Sequence, residues 1–339
     1  MKLPSPRGPL GASLTDLLVH PPQGTEAVDD EVLTRWRSAA AASPDPLTDD
    51  DLQLTLWTLY ALHYRGFEGV DDAWEWDPDV LRLRRMLEEP FEAALREQVP
   101  VPAPAAPERE AVASALFAMT APGPGPSVAR FVSRSADATQ AEEFLVHRSL
   151  YTLMEADPHT WAVPRLSGVP KAALVEVQAD EYGGGRPERM HSALFARTMR
   201  GAGLVDEYGY YVDRLPAVTV AALNLMSLFG LHRRWRGAIA GHLAAFEMTS
   251  SLPNRLYGDG FRRLGHDAGT TEYFDEHVEA DAVHEQIAGR DLAGGLAEQE
   301  PELVGDILFG AAACLYLDDL VGQHLLDAWS TGTSSLRSA

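Results

Sequence analysis

The sequence contains few cysteines, few basic residues and no long apolar run. A single cysteine, Cys314, among 339 residues excludes an intramolecular disulfide and favours a reducing compartment. Its apolar neighbours predict a buried thiol and not a nucleophile. The 28 basic side chains are outnumbered by 50 acidic ones, which gives a formal charge of −22. Such a charge argues against nucleic acid and anionic lipid as partners.

Membrane spans, secretion signals and nucleotide-binding loops are also missing from the sequence. No stretch of about 18 uncharged apolar residues occurs, as a membrane helix would need. The N-terminal segment 1–6 lacks the apolar core of a signal peptide. We therefore expect a cytoplasmic protein. The glycine run 183–185 follows a predicted helix and not a strand, so it is no dinucleotide or P-loop fingerprint.

The chain consists mainly of segments with helical periodicity. Its hydrophobic content of 45% is enough for a buried core. Strand-like alternation is scarce, and the fold class predicted is all-α, a bundle of seven or eight long helices. Periodicity and the Pro and Gly breaks predict helices at about residues 139–156, 171–182, 187–201, 215–231, 235–250, 253–265, 271–290 and 301–328.

Proline-rich segments divide the chain into two parts. Residues 1–30 are rich in Pro, Gly and small polar types, which predicts an extended or disordered arm. A stiff connector follows at 99–107, and a second Pro-Gly breaker follows at 121–126. We predict a helical N-terminal region at 1–126 and a catalytic domain at 127–339. We assign no chemistry to the first part. Two roles stay open for it: to cover the bundle, and to pair two subunits.

Acidic and imidazole side chains recur on the predicted helices of the second part. His277, Asp281 and His284 fall within a narrow stripe of one helix, given about 100° of rotation per residue. Asp281 and His284 form an acid-x-x-His pair, and Glu188 and His191 form another. In helical bundles, such pairs and inward-pointing glutamates hold two iron ions. A single pair of this kind is more often a surface pair, so the stripe carries more of the argument.

Two isolated glutamates complete the candidate ligand set. Glu247 lies between Phe246 and Met248 on an apolar helix, where a buried acid without a partner would be costly. Glu155 ends another predicted helix, although alone it is equally well read as a surface acid. Nitrogen and oxygen ligands with an open coordination position suit iron that reacts with O2.

Several stretches, in this order, resemble the heme-oxygenase-like diiron oxidases and oxygenases. They are 155–161, 175–183, His191, Glu247 and the motif His277-x3-Asp281-x2-His284. The resemblance implies an all-α, heme-oxygenase-like helical bundle with an additional helical N-terminal region. It also implies two Fe(II)/Fe(III) ions as cofactor and O2 as co-substrate. The metal ligands it implies are Glu155, Glu181, His191, Glu247, His277, Asp281 and His284.

Spacing and resemblance select different glutamates at one position. Spacing selects Glu188, three residues before His191, whereas the resemblance selects Glu181, ten residues before it. We follow the resemblance and keep Glu188 as the alternative. Glu176 and Asp180, on the preceding helix, are candidates to orient an imidazole through its distal N–H group.

The predicted function is that of a non-heme diiron oxidoreductase, which uses O2 to oxidise a small organic substrate. The resemblance leaves three outcomes open: N-oxygenation of an amine or amino acid, desaturation, and oxidative C–C cleavage. Besides the substrate, two kinds of partner stay open: an electron-donor protein and a second subunit. Two alternatives remain. One is a ferritin-like iron-binding protein or ferroxidase without an organic substrate, and the other is a heme-binding heme oxygenase.

Two further groups of polar residues lie on the predicted helices or at their ends. Candidates to bind a substrate carboxylate are Arg197, Arg200, Arg233, Arg234 and Arg236, although the run 233–236 reads better as a surface or interhelical cluster. Glu143 and His147 are one turn apart on a predicted helix, and we interpret them as a helix-surface pair.

Overall fold

The computed structural model describes residues 1–22 and 28–338, with backbone alone at 279–282. Every regular element in these residues is helical, which confirms the predicted all-α class. A π-helical stretch, Ile287–Gly294, continues the helix that carries His277 and His284. The α-helices are α1 (Pro9–Leu18), α2 (Asp30–Ala42), α3 (Asp50–Ala61), α4 (Pro78–Gln98), α5 (Arg109–Met119), α6 (Val128–Arg134), α7 (Ala138–Thr152), α8 (Asp157–Thr160), α9 (Gly168–Glu181), α10 (His191–Gly201), α11 (Ala217–Leu231), α12 (Arg236–Met248), α13 (Ser251–Arg263), α14 (Ala268–Gln286), α15 (Gly295–Gln299) and α16 (Val304–Ser330).

The chain forms two compact units. The first unit comprises Met1–Gln98, Tyr208–Asn224 and Leu336–Ala339, and the second comprises Val99–Glu207 and Leu225–Ser335. Residues 99–126, which the sequence assigned to the N-terminal region, belong to the second unit. All predicted metal ligands lie in that unit too. The domain boundary at residue 126 stays a prediction.

The first unit contains a helix where the sequence predicted an extended arm. Helix α1 begins at Pro9, a residue that suits the first turn because its missing N–H group would be unpaired there. Leu10, Leu14 and Leu18 are buried on one face of the helix. Their spacing of four residues is a helical pattern, which we missed because of the Pro and Gly residues that surround it.

In the second unit, the backbones of α12 and α16 are in close contact. A Cβ atom on Gly241 would lie 1.8 Å from the carbonyl oxygen of Ile307. A Cβ atom on Gly310 would lie 2.0 Å from the carbonyl oxygen of Ala238. Glycine at both positions therefore lets the two backbones touch. This contact fixes α12, which carries Glu247.

Cys314 of α16 is buried with a free thiol, as the sequence predicted, and burial raises its pKa. Among the described residues, no helix combines the length and hydropathy that crossing a bilayer requires.

Candidate metal centre

Six of the seven predicted ligand side chains lie together inside the second unit. Each comes from the end of a helix, from the turn that follows a helix, or from a helix face that points inward. The side chain of Asp281 lies outside the described residues, although its backbone continues α14. The six are Glu155 in the turn after α7, Glu181 at the end of α9, His191 at the start of α10, Glu247 near the end of α12, and His277 and His284 on α14.

The ligand atoms of these side chains form two overlapping groups. One group, with all atoms within 4.8 Å of one another, comes from Glu155, Glu181, His191 and His277. A second group, under the same limit, comes from Glu181, Glu247 and His284. All six residues are buried, with relative exposures between 1% and 7%. Glu181 belongs to both groups, so one carboxylate lies between two sets of ligands.

Hydrogen bonds decide which imidazole nitrogens face these groups. His277 Nδ1 lies 2.8 Å from the carbonyl oxygen of Tyr273, an acceptor, so Nδ1 carries the proton. Its Nε2 is left to face Glu155 at 3.7 Å. His284 Nε2 lies 3.1 Å from Asp180 Oδ2, which leaves Nδ1 to face Glu247 at 3.5 Å. Partners of this kind fix the tautomer and the ring orientation of a metal-ligating histidine.

Of the two acids predicted to orient an imidazole, only one contacts a candidate ligand in the described residues. Asp180 contacts His284, as the sequence allowed, whereas Glu176 is exposed and makes no such contact among the described residues. Sequence reasoning missed Tyr273, whose hydroxyl donates a 3.0 Å hydrogen bond to Glu155 Oε1. The available signal was its position one turn before His277 on the same predicted helix.

Four buried ligand atoms have no hydrogen bond within the described residues. They are Glu155 Oε2, Glu181 Oε2, His191 Nδ1 and His284 Nδ1. Glu181 Oε2 and His191 Nδ1 lie 3.0 Å apart, but not in hydrogen-bond geometry. A buried polar atom left without a partner costs about 1–3 kcal/mol. Cations inside the two groups would satisfy all four atoms, and mixed nitrogen and oxygen donors suit iron. The residues present therefore fit a metal centre.

Burial and the attraction between carboxylates and imidazoles both shift the pKa values of the candidate ligands. Burial raises the pKa of Glu247. Burial alone would also raise the pKa of Glu181, but the neighbouring imidazole of His191 outweighs it and lowers that pKa. Burial opposes the charged form of His191 and His284, yet nearby carboxylates raise the pKa of both. Protons therefore compete with a metal for these imidazoles, and metal affinity should fall at low pH.

The turn between α9 and α10 explains why Glu181 joins the cluster and Glu188 does not. Gly183 has φ +69°, and a Cβ atom there would lie 2.6 Å from the backbone nitrogen of Met190. This tight turn brings Glu181 back against His191, while Glu188 is exposed and lies outside both ligand groups. The geometry thus favours Glu181, and its role as a ligand stays a prediction.

The structure contradicts the predicted surface pair on α7. Glu143 and His147 are both buried. Glu143 accepts hydrogen bonds from Trp329 Nε1 at 2.8 Å and from the backbone nitrogen of Ser335 at 2.9 Å. His147 Nε2 lies 3.1 Å from Ser335 Oγ. The pair binds the segment after α16, a contact distant in sequence that helical spacing alone does not reveal.

Sequence comparison identifies the class of protein that this helical fold and buried cluster define. A family described as iron-containing redox enzymes matches residues 142–319, which is more than half of the chain and spans every predicted ligand. The chain belongs to this family, and the match confirms the resemblance stated above. One relative is a nitrosourea synthase of Streptomyces achromogenes subsp. streptozoticus, which is 28% identical over 188 residues. That alignment covers 53% of this chain and 40% of the relative, so the chain spans less than half of the relative's length.

Proposed function

We propose that the protein is a non-heme diiron oxidoreductase that uses O2 to oxidise a small organic substrate. Its membership of the iron-containing redox enzymes supports an oxidoreductase that binds iron. The number of ions, the use of O2 and the substrate are our proposal. We also propose a cytoplasmic location and reduction by an electron-donor protein.

One observation carries the proposal of two ions: Glu181 belongs to both groups of ligand atoms. A carboxylate has two oxygens, and each of them can bind a different cation. Di-iron bundles combine such glutamates with acid-x-x-His pairs. Glu155, His191 and His277 would hold one ion with Glu181. Glu247 and His284 would hold the other with Glu181, and we propose Asp281 as a further ligand.

The chain's own residues would position and seclude the metal centre. Tyr273 donates to Glu155, and Asp180 accepts from His284, so both ligands are oriented before a metal binds. Burial of all six described ligand side chains keeps bulk water from the centre. Bound ferrous ions would supply the reaction with O2, while the protein would supply binding, orientation and electrostatics.

The substrate class receives limited support from the relative. Its name states that it makes a nitrosourea, a product with an oxidised nitrogen. This supports N-oxygenation among the three outcomes considered for this chain. Because the chain spans only 40% of that relative, the activity of the whole relative is not transferred.

Iron stoichiometry tests the proposed centre. We expect anaerobic titration with Fe(II), followed by metal analysis, to give two ions per chain for the wild type. Glu181→Gln should bind fewer ions because it weakens both ligand groups, whereas Glu188→Gln should bind as many as the wild type. Loss of iron in Glu188→Gln alone would overturn the ligand assignment, and one ion per wild-type chain would overturn the diiron proposal.

An oxygen pulse on the iron-loaded chain separates this function from its alternatives. An oxygenase should consume O2 at a rate that depends on an added organic substrate. A ferroxidase should consume O2 with iron alone and ignore every organic compound. A heme oxygenase should bind heme and show a Soret band, which a non-heme centre lacks.

A further inference from the structure

The turn after Glu155 contains a backbone conformation that alanine rarely adopts. Ala156 has φ +75°, and among the described residues it is the only one other than glycine with a positive φ. Such a conformation is unfavourable for a residue with a Cβ atom, and it persists only where the surrounding structure imposes it. Ala156 directly follows Glu155 in the sequence. The strained backbone therefore lies beside a candidate metal ligand.

Gln178 of α9 stabilises this turn from a second helix. Its Nε2 donates a 2.8 Å hydrogen bond to the carbonyl oxygen of Ala156 and a 2.6 Å hydrogen bond to Thr160 Oγ1, at the end of α8. Because a carbonyl oxygen can only accept, the NH2 group of the amide must face the turn. Both of its N–H groups are thus used on the segment that follows Glu155.

The hydrogen bond to Thr160 belongs to a chain of hydrogen bonds that ends at a carboxylate. Asp157 Oδ1 accepts a 2.9 Å hydrogen bond from the hydroxyl of Tyr182. Burial raises the pKa of Tyr182, so this hydroxyl keeps the proton that it donates. The Tyr182 oxygen can then accept from the Thr160 hydroxyl, 2.9 Å away, and Thr160 Oγ1 accepts from Gln178. Each donor has one acceptor, which leaves the Gln178 amide in a single orientation.

The oxygen of the same amide shows that the donors are the part of Gln178 that the structure uses. Gln178 Oε1 is buried and has no hydrogen bond within the described residues. A buried acceptor without a donor is costly. An apolar side chain of similar length would avoid that cost. The two hydrogen bonds from Nε2 therefore account for a glutamine at this position.

Gln178 also connects the segments that carry two candidate ligands. It lies three residues before Glu181 on α9, which places both side chains on one face of the helix, and both are buried. The ligand atoms of Glu155 and Glu181 lie within 4.8 Å of each other. Two ionised carboxylates this close repel each other until a cation lies between them. Because the amide joins α9 to the turn after Glu155, it opposes their separation.

We propose that Gln178 is a positioning residue of the metal centre, which stabilises the strained turn at Ala156 and so keeps Glu155 beside Glu181. The Tyr273 hydroxyl orients the carboxylate of Glu155, whereas Gln178 fixes the backbone from which that side chain extends. This inference rests on the proposed function, because it takes Glu155 and Glu181 as metal ligands. Gln178 acts through the geometry of the turn and not through contact with a metal.

Hydrogen exchange of the full, metal-free chain tests whether Gln178 stabilises the turn. Gln178→Met keeps a side chain of similar length and removes both donors. We expect peptides that cover residues 153–160 to exchange about fivefold faster or more, as loss of a neutral hydrogen bond allows. Mass spectrometry of the peptides gives the measurement.

Anaerobic titration with Fe(II), in competition with a chelator of known affinity, tests the consequence for the metal centre. Gln178→Met should weaken the binding of one of the two ions by about tenfold or more, as loss of a supporting contact does. Ala156→Gly should restore most of that affinity in the double variant, because glycine adopts a positive φ without strain. General damage to the fold would not be repaired by this second change.

Matched variants separate positioning from loss of stability. Gln53→Met removes another buried glutamine, whose amide donates to the carbonyl oxygen of Pro46 in the first unit. It should change neither iron binding nor the exchange of residues 153–160. Thr160→Val removes one of the two acceptors of Gln178 Nε2, so it should weaken iron binding by less than Gln178→Met does. If Gln178→Met fails to fold, Thr160→Val with and without Ala156→Gly decides the question.

Three results would overturn the inference. They are wild-type iron affinity in Gln178→Met, an equal loss of iron affinity in Gln53→Met, and failure of Ala156→Gly to restore iron binding. The exchange measurement needs no metal, which keeps this test apart from the proposed function. If the wild type binds fewer than two ions, the diiron proposal fails, and faster exchange in Gln178→Met still supports the role of Gln178 in the turn. If the wild type and Gln178→Met bind two ions equally well, this inference alone fails.

Discussion

At the scale of single residues, the centre depends on side chains that never touch a metal themselves. Asp180 is largely exposed, yet its carboxylate lies 3.1 Å from His284 Nε2 and keeps Nδ1 directed inward. Glu176 lies one turn earlier on α9 and makes no such contact in the described residues. The two acids therefore form a natural comparison.

We expect Asp180→Ala to weaken iron binding by about tenfold, the lower end for such supporting contacts, because the carboxylate is exposed to water. Competition of the full chain against a chelator of known affinity gives the measurement. Glu176→Ala serves as the control and should retain wild-type affinity. Equal affinities for the two variants would show that Asp180 does not support His284.

At the scale of helices, the contact of α12 with α16 depends on glycines that no larger residue can replace. Gly241 and Gly310 face backbone carbonyl groups, which cannot move aside as a flexible side chain can. Gly305, on the same α16, has no atom within 4 Å of the position that a Cβ would take. A methyl group added at Gly241 or Gly310 should therefore destabilise the chain, whereas one added at Gly305 should not.

We predict that Gly241→Ala and Gly310→Ala each lower the free energy of unfolding by about 3 kcal/mol or more, the upper end for overpacked sites. Gly305→Ala should be neutral or stabilise the chain by up to about 1 kcal/mol, because alanine favours the helix. Thermal unfolding followed by circular dichroism measures all three. A similar Tm for Gly241→Ala and Gly305→Ala would contradict the close contact.

The junction of α7 with the segment after α16 makes stability depend on pH. Burial alone would raise the pKa of Glu143, but hydrogen bonds from Ser334, Ser335 and Trp329 outweigh burial and lower it below the ordinary value of 4.5. The folded chain therefore binds this proton less readily than the unfolded chain does. The stabilisation by Glu143 is present above pH 4.5 and is lost as the pH falls through the lowered value.

We expect Glu143→Gln to lower the free energy of unfolding at neutral pH by about 1–3 kcal/mol, because it removes a charged acceptor of buried donors. The difference from wild type should shrink as the pH falls below the ordinary range of a glutamate. Denaturant unfolding across pH measures it, and exposed Glu142→Gln provides the control. A difference that does not change with pH would rule out the ionised carboxylate as the cause.

At the scale of the whole molecule, local periodicity predicted the helices of the second unit well. The predicted helix 235–250 corresponds to α12 (Arg236–Met248), and 301–328 corresponds to α16 (Val304–Ser330). Helix boundaries follow from Pro, Gly and capping residues close in sequence, which is why they can be predicted. The first unit was less predictable because proline and glycine around α1 concealed a regular leucine spacing.

The candidate centre was predictable in part because the family resemblance supplied what spacing could not. Spacing alone selected Glu188, and the sharp turn at Gly183 that brings Glu181 to His191 depends on backbone conformation.

The position of Glu181 between two sets of ligands has an evolutionary consequence. If it serves both ions, a substitution there damages both half-sites at once. A descendant with a single ion could arise by loss of Glu155 or of Glu247 while Glu181 is kept. Selection should therefore tolerate change at Glu181 least among the carboxylates of the centre.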